Sequence, residues 1–334
     1  PHESRRPRAR PPCGHDAPKV YKVALRKRKD SQDFFYKLKD YKFAVLDFNV
    51  SNRYWMADPF LYERDGITYL FYEMYDYFRG RGVLAYSIIN DDFSVSKPKI
   101  IINEKFHLSF PNIFDYNEEI YLIPESCGDG SILLYKATSF PDKWEKIGSL
   151  VQSINACDSI LLHENDKVLL HTCVMSKKIT EHIVSCFVKN LLFTVEIPNS
   201  AGKEFGELVA TECGMGDYGL RNAGACFFDD GKIYRVGQDC RNAKYGQGLC
   251  FFSIESVKPY KEELEKTVSL SDIAFHITNC KKNIFCGFHT YNMTSKYEVI
   301  DIALQEKLPT YYKFVHFIYR IINFIGKIIK RLLH

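Results

Sequence analysis

Asp58 and Asp158 fall at one equivalent position of a recurring sequence unit, and Glu73 and Glu125 fall at another. Carboxylates that converge from different units onto one axis are what acid–base chemistry at a sugar carbon requires. Glu125 follows Pro124 directly and interrupts the apolar run Tyr121-Leu122-Ile123. Asp58, Glu125 and Asp158 are therefore the candidate catalytic groups. Trp55, Glu73, Asn112, Arg221, Asn222, Gln238, Asp239 and His289 are candidate substrate-binding groups. The indole suits stacking on a sugar ring, and Arg221 or His289 would suit a phosphate-bearing donor. Plainer roles compete: an Asp before Pro caps turns, Glu73 and Glu125 would serve as partners between units, and a lone His is commonly a satisfied core residue. No phosphate-cradling Gly loop is visible, and Gly80-Arg81-Gly82 reads as a turn opening a strand. No metal and no cofactor are expected.

The unit that positions these groups begins with Trp55-Met56-Ala57-Asp58-Pro59-Phe60, turns at Asp65-Gly66, and returns through Tyr69-Leu70-Phe71-Tyr72-Glu73. Alternating apolar runs around Asp-Gly read as a hairpin. The pattern recurs from Phe110, Asp158, Ala223 and, degenerately, Cys286, at spacings of about 50–65 residues. Five units of short strands predict an all-β fold, a five-bladed β-propeller. In this register Asp58 aligns with Phe110, Asp158 and Ala223, and Glu73 aligns with Glu125, Cys173 and Gln238. The first strand of each unit is expected to be innermost. Strands between Lys19 and Asp47 are expected to complete the last blade, which would remove an open edge.

Residues 1–18, rich in Pro and Arg, read as a disordered or added segment; 19–308 form the propeller. The stretch 189–220 is expected to hold outer strands of the third blade and a long Gly-bearing loop. From 309 to 334, Lys313, His316, Arg320, Asn323, Lys327, Lys330 and His334 recur at steps of three and four among Phe, Ile, Val and Leu. That is a C-terminal amphipathic α-helix with a basic stripe, suited to lying on an anionic membrane surface. Docking on its own propeller or at a dimer seam is the alternative. The net charge of +4 sits mostly at the two ends, and no nucleic-acid partner is expected. The 11 cysteines are scattered singly, without zinc spacing, and read as reduced thiols of a cytoplasmic protein, peripheral on the inner face of a membrane.

The first unit resembles the signature of the five-bladed glycosidases of glycoside hydrolase families 43, 32 and 68, in which the Asp of this motif is base or nucleophile. A closer resemblance, over about residues 50–300, is to the N-terminal domain of glucosamine inositolphosphorylceramide transferases and their bacterial relatives. It rests on Leu108-Ser109-Phe110-Pro111, Ile123-Pro124-Glu125-Ser126, Leu134-Tyr135-Lys136-Ala137, Phe140-Pro141 with Trp144, Arg221-Asn222-Ala223-Gly224, Gln238-Asp239-Cys240 and Gly287-Phe288-His289-Thr290. The second-blade Asp of the hydrolases is replaced by Phe110, and their third-blade Glu has no clear counterpart, so only Asp58 carries over by motif. The resemblance implies a glycosyltransferase of lipid-linked or surface glycan synthesis, with a sugar donor and acceptor as partners. A family 43-like furanosidase and a non-catalytic glycan-binding propeller remain the alternatives.

Overall fold

In a computed structural model, the described residues are 19–164, 167–174, 178–180, 183–185, 189–195, 197, 210–214, 218–241, 245–280 and 285–305, with 311, 314, 315, 317–319 and 321. The segment 1–18 and most of the expected basic helix lie outside them, as do Gly202, Gly206 and Gly216 of the expected loop.

The fold is a five-bladed β-propeller. The first blade runs Tyr54–Arg64, Ile67–Asp76, Arg81–Ile89 and Lys99–Ile102, and the second Ser109–Tyr116, Glu119–Glu125, Ser131–Ser139 and Lys143–Gln152. Ala156–Glu164, Lys167–Val174, Lys189–Val195 and Ala210–Gly214 make the third. The fourth opens with the interrupted pair Tyr218–Asn222 and Phe227–Asp229, followed by Lys232–Asp239, Gly248–Val257 and Tyr260–Ser269. Asp65-Gly66 and Asp230-Gly231 turn with both residues at positive φ, the geometry whose twist matches the flanking strands.

The last blade closes the ring. Its inner pieces, Phe285–Gly287 and Tyr291–Met293, pair with Tyr297–Gln305, which pairs in unbroken antiparallel register with the N-terminal strand Lys19–Lys27. Phe43–Val45 pairs on its outer side, and Ile277–Thr278 borders that strand in parallel. Val23, Ala24 and Leu25 are fully buried there, so closure adds apolar burial to the removal of an edge.

Polar clasps bind each blade to the next near the axis. The Phe110 amide donates to Asp58 Oδ2 (3.2 Å), and Asn112 Nδ2 donates to the Ser159 carbonyl (3.2 Å). Asn222 Nδ2 donates to the Asp158 carbonyl (2.7 Å), the Tyr291 amide to the Ala223 carbonyl (2.6 Å), and Asn292 Nδ2 to the Pro59 carbonyl (2.8 Å). Buried backbone acceptors that point away from their own blade find partners in the neighbouring one. The described positions between 311 and 321 are helical, and no helix of the described residues is long and apolar enough to cross a membrane.

Candidate active site

The inner strands of the first three blades share one irregularity. Ala57 pairs with Glu73 and Phe60 with Phe71, so Asp58 and Pro59 together oppose a single residue. Ser109 to Asn112 and Cys157 to Ile160 repeat this bulge. Its first residue is left-handed each time, with φ of 49° at Asp58, 48° at Phe110 and 50° at Asp158. A non-Gly residue in that region costs about 1–2 kcal/mol, and a bulge re-aims the side chain at its centre. Phe110 packs edge-on against Phe60 in the core, whereas the two aspartates turn into a common polar cluster.

The fourth blade departs from the sequence register. Tyr218 pairs with Asp239 and Asn222 with Gly237, so Gly219 (φ 67°) rather than Ala223 occupies the left-handed position. Asp239, not Gln238, is the counterpart of Glu73 and Glu125. The longer bulge places Arg221 within it.

Asp58 is buried. Its Oδ1 accepts from Thr290 Oγ1 (2.7 Å) and lies 3.6 Å from His289 Nε2. The other ring nitrogen, Nδ1, lies 2.6 Å from Asp301 Oδ2, off the angle of a good hydrogen bond. Asp301 also accepts the amides of Asp58, His289 and Thr290. Burial pushes the Asp58 carboxyl up, with His289 opposing and Asp158 and Asp301 adding. Burial works against a charged His289, but Asp301 and Asp58 outweigh it and hold the imidazole above its ordinary value. Burial likewise opposes charge on Asp301, yet His289 and the amide donors hold it low. The three environments thus favour charge on Asp301 and His289 and a proton on Asp58. These three offer ligand atoms within 4.8 Å of one another, the one such grouping among the described residues. A cation there would compete with an imidazole that already bridges the two carboxylates.

Arg221 faces this group. Its Nε and Nη2 hold Asp158, and Nη2 donates to Glu125 Oε2 at 2.8 Å. Gln238 Nε2 donates to Asp158 Oδ2 (3.1 Å), and Ser109 Oγ to Glu125 Oε2 (3.2 Å). Burial pushes the Asp158 carboxyl up to about 6 despite the guanidinium, and Glu125 adds to the rise. Arg221 is thus occupied by two carboxylates and is not the open phosphate-binding cation that the sequence suggests.

An aromatic wall stands beside the carboxylates. Tyr245 packs on His289 (5.0 Å between ring centres), His289 on Tyr21 (4.8 Å), Tyr21 on Trp55 (5.2 Å), and Trp55 stacks on Tyr75 (4.5 Å, 10°). Trp55 Nε1 is enclosed without a hydrogen-bond partner among the described residues. Glu73, 4% exposed, sits beside Asp58, and burial, then Asp58 and Glu125, push its carboxyl well up.

The cluster therefore unites Asp58, Glu73, Glu125, Asp158, Arg221, Gln238 and His289, with Trp55 in its wall. Asn112 and Asn222 are spent on clasps between blades. Asp239 pairs with the exposed Arg241. Tyr21, His107, Tyr245, Thr290 and Asp301 join the cluster without being among the candidates expected from the sequence. Asp301 carries a signal that was available: an acid inside the apolar run Val299-Ile300-Asp301-Ile302-Ala303.

Residues 44–314 match the family described as glucosamine inositolphosphorylceramide transferase 1, N-terminal. The chain belongs to this family. Among its curated relatives, the Arabidopsis thaliana glucosamine inositolphosphorylceramide transferase 1 is 33% identical over 214 residues, which is 62% of this chain and 26% of the relative. The Oryza sativa subsp. indica protein of the same name is 29% identical over 221 residues, 62% of this chain and 27% of its own. The chain thus spans about a quarter of the length of these family members. Among solved structures, a thermostable family-43 glycoside hydrolase superposes with a TM-score of 0.50 at 13% identity, over 78% of this chain and 96% of that one, a likeness of fold.

Proposed function

We propose that the axial cluster is the sugar site of a glycosyl-transfer enzyme that extends a lipid-linked or surface glycan. The observation that carries this reading is Asp58, held at the axis by Thr290, His289 and the Phe110 amide, with its carboxyl raised. A raised carboxyl suits a base that takes the acceptor hydroxyl proton. Asp158 and Glu125, tied through Arg221, would orient the sugar, and Trp55 and Tyr21 would cover its apolar face. Asp58, Glu125, Asp158 and Asp301 outnumber the cations Arg221 and His289, which favours a neutral or amino sugar. That agrees with the glucosamine in the relatives' name.

The basic helix of 309–334 would hold the enzyme peripherally on the inner face of an anionic membrane. Tyr311, Phe314, Phe317, Ile318 and Ile321 are exposed, an apolar surface of the kind that beds into lipid. A second reading, a sugar-binding module serving a transferase, is favoured by the ion pairs on which Arg221, Asp158 and Glu125 are already closed.

Product analysis tests the proposal. Wild type and Asp58→Asn are incubated with nucleotide and polyprenyl-phosphate sugars, liposomes bearing inositol phospholipid, and aryl glycosides. Transfer that needs the carboxylate supports the transferase. Free sugar from aryl glycosides alone replaces it with a hydrolase, and binding without turnover replaces it with the module.

A further inference from the structure

Glu73 lies across the hairpin from Ala57, so it enters the channel directly beside Asp58. Its Oε1 is enclosed and accepts no hydrogen bond among the described residues. Gly82 makes room for it: a Cβ at that position would stand 2.3 Å from Oε1 and 2.5 Å from the Leu108 carbonyl. The same glycine's amide donates to His107 Nδ1 at 2.9 Å. That bond occupies the Nδ1 lone pair, so a neutral imidazole must carry its proton on Nε2. Nε2 lies 3.6 Å from Glu73 Oε1. One glycine therefore both admits the carboxyl and sets the tautomer that faces it.

We infer that Glu73 is a second proton-handling carboxyl of the channel, the donor to the oxygen that leaves the sugar, with His107 as the positioning residue that orients it. The inference rests on the glycosyl-transfer reading above. The acceptor oxygen bonds to the anomeric carbon and its proton passes to Asp58. The bond from that carbon to the leaving oxygen breaks with its electron pair on the oxygen, which takes the Glu73 proton. One proton has entered Asp58 and one has left Glu73, and exchange with water resets both.

The surroundings agree. Burial, Asp58, Glu125 and Asp301 all favour a protonated Glu73, with Arg221 opposing. Burial pushes His107 down, toward a neutral ring, and the water that reaches 41% of its side chain moderates the shift. Where paired carboxylates have distinct tasks, their environments set one as acid and the other as base.

Difference infrared spectroscopy of wild type against Glu73→Gln at pH 7 tests the protonation state without any substrate. The expected result is a protonated-carboxyl carbonyl band that the variant lacks; an ionised Glu73 overturns the inference. Turnover then tests the role. Glu73→Gln should lose roughly a hundredfold or more on sugars with a poor alkoxide leaving group, and far less on nitrophenyl glycosides. Equal losses on both overturn it. His107→Phe should move the basic limb of the pH profile upward, and His107→Gln should restore it; an unmoved limb removes His107 from the inference. If wild type turns over no sugar, the glycosyl-transfer reading fails while the infrared result still decides the state of Glu73.

Discussion

Asp58 Oδ1 lies 3.6 Å from Nε2 of His289, which joins the carboxylate of the first blade to the imidazole of the last. Asp301 stands behind the same ring, and its carboxylate also holds the Asp58 amide. The Asp58–His289–Asp301 group is therefore brought together from the first and last blades of the closed ring. The N-terminal strand Lys19–Lys27 pairs along the whole of Tyr297–Gln305, the strand that carries Asp301.

Asp58→Asn keeps the shape of the side chain and removes its charge. Turnover should fall by about 10²–10⁴-fold, the usual worth of a general base, with a cooperative thermal transition retained. Steady-state kinetics beside calorimetry checks this; full turnover in the variant would remove Asp58 from the chemistry.

Burial pushes the Asp158 carboxyl up to about 6, above the ordinary value of about 3.9. The sign follows: its neutral form is favoured by folding, so its contribution is fully present below about pH 4 and is lost as pH rises through about 6. Raising pH from 4 to 7 should cost wild type on the order of 2–3 kcal/mol relative to Asp158→Asn. Urea unfolding of both proteins across that range measures the difference, and parallel curves would contradict it.

Arg221→Ala would leave Asp158 and Glu125 unpaired in a buried setting, a loss of about 3–5 kcal/mol. Arg221→Lys should recover only part of it, because a point charge does not replace the fork that spans two carboxylates. Denaturant midpoints order the three proteins.

Leu25 is fully buried in the closing strand, and Leu25→Ala should cost about 2–5 kcal/mol. Ile100, 47% exposed, is the control, and Ile100→Ala should stay within about 0.5 kcal/mol. Deleting 19–27 should abolish cooperative unfolding altogether.

Phe314→Glu with Phe317→Glu puts charge on the exposed apolar helix positions. Co-sedimentation with phosphatidylserine vesicles should drop at least tenfold while sugar binding in solution is unchanged. Undiminished sedimentation would end the membrane proposal.

Repetition made much of this legible. Asp65-Gly66 and Asp230-Gly231 mark their hairpins in the sequence, and a recurring strand pattern aligns Asp58, Phe110 and Asp158, which the structure places in equivalent bulges. The alignment slips in the fourth blade because residues 219–221 oppose Gln238 alone, and the apolar run from Ala223 looks like a better strand start. Asn112 and Asn222 show how a polar residue near an axis serves the seam as readily as a ligand. Tyr21 and His107 carry no local signal, since their position depends on pairings formed with distant strands.

The most direct measurement is a crystal structure of Asp58→Asn with a bound sugar from the panel above. The sugar ring should lie between the Asp58–Asp158 carboxylates and the wall of Tyr21, Trp55 and Tyr245, with its anomeric carbon beside position 58. A sugar seated elsewhere on the propeller, with the axial cluster still closed on its own ion pairs, would contradict it.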